Sequence, residues 1–292
     1  MAKAKSKNNK PTSKKTESKK SGTLVVIGGH EDKENECLIL QEVAKLLYNG
    51  KLIVATVASE EPEGDFESYQ KAFKKLGIDH LSELYIKDRD ESLDEGRLKA
   101  LNGASGIYFT GGDQLRISSQ IGDTAFETHI WEIYERGGVI AGTSAGASVM
   151  AEVMLVRGAN NESYKIGDVH LAPGLGFMRD VTIDQHFAER GRIGRLMGAI
   201  ALNPRILGIG IDEDTAIVVR NKKFSVIGSG AVYIVDGACV TESNIAEGEQ
   251  DSVLSIFGVK LHVLGAGDKF DLVTRIPTGK RVKKSKTAMA HD

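Results

Sequence analysis

Leu24-Val25-Val26-Ile27-Gly28-Gly29 is a run of four apolar residues closed by two glycines. A short continuous apolar run that ends in a glycine turn is typical of a strand buried on both faces of a parallel sheet. Apolar residues then recur at helical spacing over 40–47, and a second apolar run follows at 52–57. This strand–helix–strand order is the unit from which parallel α/β sheets are built.

The alternation of strand and helix patterns continues beyond these first elements. It predicts helices over 65–76 and 124–136, and strands at 84–86, 106–110 and 139–141. We therefore predict an α/β fold in which a mostly parallel sheet is flanked by helices on both faces, as in flavodoxin-like and class I glutaminase-like sandwiches.

The last third of the chain has a different pattern. A helix is predicted near 191–202, and the short apolar runs that follow are too closely spaced for intervening helices. Such spacing indicates antiparallel strands, so we expect an antiparallel C-terminal extension on one edge of the sheet. The predicted strands lie at 205–211, 215–219, 224–228, 231–235 and 259–264.

The net charge of −2 at pH 7 is unevenly distributed along the chain. Residues 1–20 carry eight Lys and one Glu, and residues 280–292 carry four Lys and one Arg against one Asp, so the remainder is strongly acidic. An acidic body repels phosphate backbones, which argues against nucleic-acid binding, whereas it could attract a cationic polymer. We predict disordered basic tails over 1–21 and 280–292 and a single α/β domain over 22–279.

The apolar runs of the sequence are short. None approaches the roughly 18 residues of a membrane span, and no apolar core of a signal segment follows the basic N-terminus. We therefore expect a cytoplasmic protein that does not enter a membrane. Cys37 and Cys239 both lie in apolar stretches, which favours buried free thiols over a disulfide framework. No cluster of Cys and His has a spacing that suits a metal, so no metal site is expected.

Gly142-Thr143-Ser144-Ala145-Gly146 matches the G-x-S-x-G pattern. It directly follows the apolar run at 139–141 and precedes a plausible helix start at 147–150. Small residues allow the sharp strand-to-helix turn that lifts a serine hydroxyl above a sheet, and a helix N-terminus favours developing negative charge. Ser144 is therefore the candidate nucleophile, and the alternative is a glycine-rich turn in which Ser144 caps the helix.

A second glycine-rich turn, Thr110-Gly111-Gly112-Asp113-Gln114, closes an earlier predicted strand. Parallel strands end at the same edge of a sheet, so this turn can face the Ser144 turn across a crevice. Its backbone N–H groups could complete an oxyanion hole beside the N–H of Ala145. The alternative is an ordinary strand–helix turn that Asp113 caps.

Two of the seven histidines, His30 and His186, follow predicted strand ends, where catalytic groups concentrate in open parallel sheets. Asp212, Glu213 and Asp214 end another apolar strand, and one of them could hold a histidine in the tautomer that accepts a serine proton. The alternatives are a structural histidine and a solvated acidic turn.

Five segments along the chain occur in a distinctive order. They are Ile27-Gly28-Gly29-His30-Glu31-Asp32-Lys33, Gly111-Gly112-Asp113-Gln114, Gly142-Thr143-Ser144-Ala145-Gly146-Ala147, Asp184-Gln185-His186-Phe187 and Gly210-Ile211-Asp212-Glu213-Asp214-Thr215-Ala216. In this order they resemble the segments of cyanophycinases, which belong to a serine peptidase family that also contains aspartyl dipeptidases. The resemblance covers about residues 23–275.

The resemblance implies a catalytic role for three of these residues. Ser144 would be the nucleophile, His186 the general base and Glu213, in preference to its acidic neighbours, the orienting acid. It also implies an oxyanion hole, whose members would be Gly112, Asp113 and Ala145.

The resemblance further implies a serine exopeptidase that acts through an acyl-enzyme and needs no cofactor. Family members cleave cyanophycin, a polyaspartate with arginine on each side-chain carboxyl, and release β-aspartyl-arginine. Arginines of the chain would hold substrate carboxylates, while Asp113 and Asp184 would take guanidinium groups. The implied substrate-binding residues are Gln114, Asp184, Gln185, Arg190, Arg192 and Arg195.

By analogy with the family, the partners are the cyanophycin polymer or β-aspartyl-arginine peptides, and the assembly is a homodimer. Two alternatives to a cyanophycinase activity stay open. One is an aspartyl dipeptidase of the same family. The other is a non-catalytic α/β protein whose glycine turns bind an anion or a nucleotide.

Overall fold

The computed structural model describes residues 21–157 and 164–279. Residues 1–20 and 280–292, which fall in the predicted disordered tails, lie outside the described residues. Within the described ranges, none of the helices combines the length and the hydropathy that a bilayer span requires.

The described residues contain strands and helices in alternation up to β5 and mainly strands thereafter. The strands are β1 (Thr23–Ile27), β2 (Lys51–Ala55), β3 (Leu81–Leu84), β4 (Ala104–Phe109), β5 (Val139–Thr143), β6 (Val153–Arg157), β7 (His170–Pro173), β8 (Val181–Gln185), β9 (Leu207–Ile211), β10 (Thr215–Arg220), β11 (Lys223–Gly228), β12 (Val232–Asp236), β13 (Glu242–Ser243), β14 (Ile256–Phe257), β15 (Lys260–Leu264), β16 (Lys269–Asp271) and β17 (Ile276–Thr278). The α-helices are α1 (Leu38–Leu47), α2 (Pro62–Lys75), α3 (Glu95–Leu98), α4 (Gln114–Ile121), α5 (Ala125–Glu135), α6 (Ala145–Ser148) and α7 (Ile193–Leu202).

Five parallel strands form one side of a nine-stranded sheet, in the order β1-β5-β4-β2-β3, with β3 at the edge. Their apolar runs are buried on both faces, as predicted, and every residue of β5 is buried. The third strand begins earlier than the apolar run at 84–86 indicates. Ser82 and Glu83 of this edge strand are only half-buried, so hydrophobicity does not mark them as part of the sheet.

The predicted antiparallel extension is confirmed on the β1 edge of this sheet. Strand β10 pairs antiparallel with β1, and β11, β16 and β17 continue the sheet outward. The sheet is therefore parallel on one side of β1 and antiparallel on the other.

Three of the strands predicted for this extension, β9, β12 and β15, belong instead to a second sheet with β8. In that sheet β8 and β9 are parallel, whereas β12 and β15 are antiparallel. Ile183, Ile209 and Ile234 of these strands join the same buried cluster as Val26 and Ile217 of the large sheet. The second sheet thus packs face to face on the first, and apolar patterns alone do not indicate which sheet a strand joins.

The large sheet is covered on both faces, as predicted for this fold class. Helices α1 and α2 pack on one face, and α4, α5 and the second sheet share the other. Helix α7 covers the outer face of the second sheet. This stacking brings the carboxyl ends of β8 and β9 close to those of β1, β4 and β5.

Both cysteines are free thiols. Cys37 is buried, as expected, but Cys239 is exposed. The prediction was wrong for Cys239 because this residue lies in the turn after β12 and not inside an apolar strand.

Candidate active site

The loop after β1 is held between the loops that follow β8 and β9. The N–H of His186 donates to the carbonyl of Gly28 at 2.8 Å, and the N–H of Asp214 donates to the carbonyl of Gly29 at 2.8 Å. The N–H of Gly28 itself donates to the carbonyl of Thr215 at 2.9 Å. These backbone hydrogen bonds place strand ends from both sheets around one crevice.

Ser144 lies in the sharp turn between β5 and α6, with φ 51° and ψ −110°. This conformation is uncommon for a residue with a side chain and is found where surrounding structure enforces it. A Cβ on Gly142 would lie 2.4 Å from the carbonyl oxygen of Gly146, and a Cβ on Gly146 would lie 2.4 Å from that of Phe109. The strand–turn–helix geometry predicted for the G-x-S-x-G segment is therefore present, and it requires both glycines.

Ser144, His186 and Glu213 form a continuous hydrogen-bonded line. The Ser144 Oγ lies 2.9 Å from the His186 Nε2, and the His186 Nδ1 lies 2.6 Å from the Glu213 Oε1. The His186 side chain is 4% exposed and that of Glu213 is 25% exposed. In such an arrangement the imidazole can accept the serine proton while the carboxylate stabilises the imidazolium that forms. The structure thus brings together the three residues to which the resemblance assigns catalysis.

Burial lowers the pKa of His186 below its usual 6.5, although the hydrogen bond to Glu213 opposes the shift. Burial also acts on Glu213 and would raise the pKa of its carboxyl. Hydrogen bonds from His186 and His30 outweigh that effect, so the pKa of Glu213 lies below its usual value. At neutral pH the pair is therefore a neutral imidazole beside an ionised carboxylate, the state in which His186 can act as a base.

The two acidic neighbours of Glu213 have other contacts. The buried Asp212 carboxylate accepts hydrogen bonds from the N–H groups of Ala188 at 2.9 Å and Ala231 at 3.0 Å. Asp214 accepts from the N–H of Asp32 at 3.1 Å. Both residues join loops around the site, and Glu213 alone of the three contacts His186.

His30 is a second imidazole on the same carboxylate. Its Nδ1 lies 2.9 Å from the Glu213 Oε2, and its ring meets that of His186 edge-on at a centroid distance of 5.0 Å. The His30 side chain is 71% exposed. Its place at the end of β1 indicated that it could reach the crevice, but the sequence did not indicate a contact with Glu213.

Gly29 supports the catalytic imidazole from below. Its φ of 114° lies in the region that residues with a Cβ avoid, and a Cβ at this position would lie 2.3 Å from the His186 Cε1. The imidazole therefore lies directly against bare backbone, which is a role for Gly29 that the sequence pattern did not reveal.

The Gly112–Asp113 turn faces Ser144, and a Cβ on Gly111 would lie 3.6 Å from that of Ser144. The prediction that Asp113 contributes its N–H to an oxyanion hole is wrong, because that N–H donates to the carbonyl of Ala58 at 3.0 Å. Its carboxylate accepts from the N–H of Leu115 at 2.8 Å and caps α4. Asp113 is thus engaged through both its backbone and its side chain.

Ser144 and His186 open into a cavity of about 660 Å³. Five of the six residues predicted to bind substrate line it with them: Gln114, Gln185, Arg190, Arg192 and Arg195. Arg190 is exposed, whereas the other four are largely buried.

Asp184 is the sixth residue, and the structure contradicts a direct contact with substrate. Its side chain is fully buried and accepts hydrogen bonds from Arg195 through both carboxylate oxygens, at 2.7 Å from Nε and more closely from Nη2. Arg192 lies 3.3 Å from the same carboxylate. Because the Asp184 side chain points into the protein, it has no access to a ligand. Its role is to position the two arginines.

Arg192 also donates to the side-chain oxygen of Gln185, whose amide nitrogen donates to Ser148 at 3.3 Å. Burial lowers the pKa of Arg192 to about 10, and the Asp184 carboxylate opposes that shift. The guanidinium therefore remains cationic near neutral pH in a preorganised position at the cavity wall.

The cavity also contains acidic residues that the sequence did not single out. Glu60, Glu61 and Asp65, from the loop before α2 and its first turn, line the cavity together with the arginines. Charges of both signs therefore border the space next to Ser144. In the sequence these acids belong to an acidic stretch that resembles an ordinary solvated helix start. Only the folded chain shows that they lie near Ser144.

A buried carboxylate, Glu31, lies at the floor of the cavity. It accepts hydrogen bonds from the hydroxyls of Tyr69, of Tyr108 at 2.7 Å and of Thr143 at 2.6 Å. The pKa of each tyrosine is raised well above the usual value for a tyrosine, mainly by burial and next by the charge of Glu31. Both hydroxyls therefore stay protonated and donate. Glu31 thereby joins α2, β4 and β5 directly beneath the residue that precedes Ser144.

Comparison with known proteins gives a consistent result. The family model described as Peptidase family S51 matches residues 24–227. A cyanophycinase of Synechococcus elongatus is 36% identical over 257 residues, which cover 87% of this chain and 80% of that protein. A cyanophycinase of a Nostoc species is 38% identical over 261 residues, 86% of each chain.

A solved structure of a peptidase from an acI-B1 actinobacterium has the same fold. It matches with a TM-score of 0.64 at 22% identity, over 87% of this chain and 98% of the other. At that identity the likeness concerns the fold alone.

Proposed function

Because the chain belongs to peptidase family S51 and is a serine-type peptidase, we propose that it is an exopeptidase that hydrolyses cyanophycin to β-aspartyl-arginine dipeptides. The observation that carries the proposal is the line from Ser144 through His186 to Glu213, with contacts of 2.9 and 2.6 Å, beside a cavity bordered by both signs of charge. The similarity to cyanophycinases supports the choice of substrate.

In the proposed first step, the Ser144 Oγ attacks the scissile carbonyl carbon while the His186 Nε2 takes the hydroxyl proton. Glu213 stabilises the resulting imidazolium through Nδ1. His186 then returns the proton to the leaving amine, and an acyl-enzyme remains on Ser144. Water, deprotonated by the same imidazole, releases the acyl group and restores the hydroxyl.

The tetrahedral intermediate carries an oxyanion, which needs hydrogen-bond donors aimed at it. We assign this role to the N–H groups of Gly112 and Ala145, the two members of the predicted set that remain once Asp113 is removed. Gly112 has a φ of 129°, and a Cβ there would lie 2.0 Å from the carbonyl oxygen of Ala58. Glycine at this position allows the turn to pack against the backbone of Ala58.

Each unit of cyanophycin carries one carboxylate and one guanidinium, so its binding site needs both charges. The Arg190 and Arg192 side chains supply cations that suit carboxylates. Glu60, Glu61 and Asp65 supply carboxylates that suit guanidinium groups. Binding of the guanidinium groups by these three carboxylates replaces the prediction that Asp113 and Asp184 bind them. The homodimer and the cytoplasmic location remain predictions from the sequence.

The proposal is tested by incubating insoluble cyanophycin with the wild-type chain, with Ser144→Ala and with Ser119→Ala, and identifying products by mass spectrometry. We expect β-aspartyl-arginine from the wild type and from the exposed Ser119 control, and at least a thousandfold less from Ser144→Ala. Cleavage by Ser144→Ala at the wild-type rate would exclude Ser144 as nucleophile. Hydrolysis of α-aspartyl dipeptides alone would replace the polymer with the dipeptidase substrate.

A further inference from the structure

The contact of two imidazoles with one carboxylate has a use besides catalysis. We propose that His30, His186 and Glu213 form an inhibitory binding site for a zinc ion. The three side chains each offer a ligand atom, and these atoms all lie within 4.8 Å of one another. Sequence spacing could not reveal this site, because its members are separated by more than 150 and by 27 residues.

The ligand set is the one that zinc prefers. Zinc binds imidazole nitrogen and carboxylate oxygen at about 2.0–2.2 Å, so neighbouring ligands of a tetrahedral ion lie about 3.3 Å apart. The two oxygens of Glu213 now lie 2.6 Å from the His186 Nδ1 and 2.9 Å from the His30 Nδ1. To admit the ion, these two contacts open by less than about 1 Å, and the widest separation among the three ligands, which is at most 4.8 Å, closes by no more than about 1.5 Å.

The backbone around the three ligands is fixed, whereas one ligand can adjust. Gly28 and Gly29 anchor the His30 loop through backbone hydrogen bonds to His186 and Asp214, both of 2.8 Å. The His30 side chain is 71% exposed and contacts the other two ligands, so it can rotate towards an ion held between them. The His30 and Glu213 side chains are 71% and 25% exposed, so solvent reaches the site and can supply a water as the fourth ligand.

Zinc binding removes the proton that His186 shares with Glu213. Both imidazoles must be neutral and the carboxylate ionised to act as ligands, so the Nδ1 proton of His186 is released to solvent when the ion binds there. The positive ion on Nδ1 then reduces the basicity of Nε2, and Glu213 no longer stabilises an imidazolium. Loss of activity rests on the proposed function, whereas binding of the ion does not.

The same chemistry predicts which ions bind. Imidazole suits zinc and other late transition metals, whereas magnesium and calcium prefer sites made of oxygen ligands. Magnesium therefore serves as a matched divalent control.

Calorimetry of zinc chloride with Ser144→Ala tests the site without any dependence on turnover. We expect one tight site in this variant, at least tenfold weaker binding in Ser144→Ala/His30→Ala, and unchanged binding in Ser144→Ala/His80→Ala, since His80 is an exposed histidine outside the site. Magnesium chloride should give no binding heat. Equal zinc affinity with and without His30, or no zinc binding up to millimolar concentration, would overturn the site.

Inhibition is measured separately, as cyanophycin hydrolysis by the wild type against zinc concentration. We expect activity to fall at the concentration that saturates the calorimetric site and to return on addition of EDTA. Binding without loss of hydrolysis would overturn the inhibitory role. A wild type that never cleaves cyanophycin would refute the proposed function, while calorimetry would still decide the zinc site.

Discussion

Replacement of Gly29 with Ala tests whether the position of the His186 ring limits turnover. The added Cβ would lie 2.3 Å from Cε1 and 2.6 Å from Nε2 of His186, whereas ordinary contacts begin at 3.4 Å. The imidazole must therefore shift by about 1 Å, away from backbone that is itself held by two hydrogen bonds. That shift breaks the 2.9 Å contact between Nε2 and the Ser144 Oγ.

The size of the effect follows from this displacement. A misplacement of about 1 Å between reacting groups costs roughly 100-fold in rate, so kcat should fall about 100-fold with little change in KM. The φ of 114° adds backbone strain, and the free energy of unfolding should fall by about 1–3 kcal/mol.

Gly77→Ala is the matched control, because Gly77 also has a positive φ, of 82°, but a Cβ there meets nothing within 4 Å. It should lose a similar amount of stability and keep its kcat. The assay combines initial rates of dipeptide release with urea unfolding of all three proteins. A Gly29→Ala enzyme that turns over within threefold of the wild type would show that the imidazole is not held by the backbone beneath it.

Asp184→Asn should lower the free energy of unfolding by about 3–5 kcal/mol in urea titrations, because it leaves the buried Arg192 and Arg195 without their counter-charge. The same change at the exposed Asp180, which lies 3.8 Å from Arg205, should lower the free energy of unfolding by less than about 1 kcal/mol. Equal losses at the two positions would refute the role of Asp184 as the counter-charge of the buried arginines. Activity in buffers containing EDTA should rise with pH through the pKa of His186, since only the neutral imidazole accepts a proton. Burial lowers that pKa, so the midpoint of the acid limb should lie below 6.5, and a midpoint above this value would contradict the buried state of the ring.

Much of the fold follows from local patterns that tertiary contacts do not override. The continuous apolar runs of β1, β2, β4 and β5 predicted strands because both faces of these strands are buried. The second sheet escaped prediction for the same reason. Strands such as β9 and β12 are also buried on both faces, so their patterns hold no information about which neighbour they pair with.

The candidate site shows a similar division between what the sequence indicates and what it leaves open. Ser144 and His186 follow strand ends, and this position alone placed them near one crevice. Asp184 lies in β8, two residues before His186, but its side chain points into the protein and binds two arginines. A one-dimensional pattern does not distinguish these two orientations. Glu61 and its neighbours reach the cavity through the loop after β2, which only the folded chain brings near Ser144.

The stacking of two sheets divides the catalytic machinery between separate parts of the architecture. Ser144 follows a strand of the large sheet, whereas His186 and Glu213 follow strands of the smaller one. The rate of turnover therefore depends on how the two sheets are positioned relative to each other. A small displacement of one sheet across the other would separate Ser144 from His186 and abolish activity, while every strand and helix stayed intact.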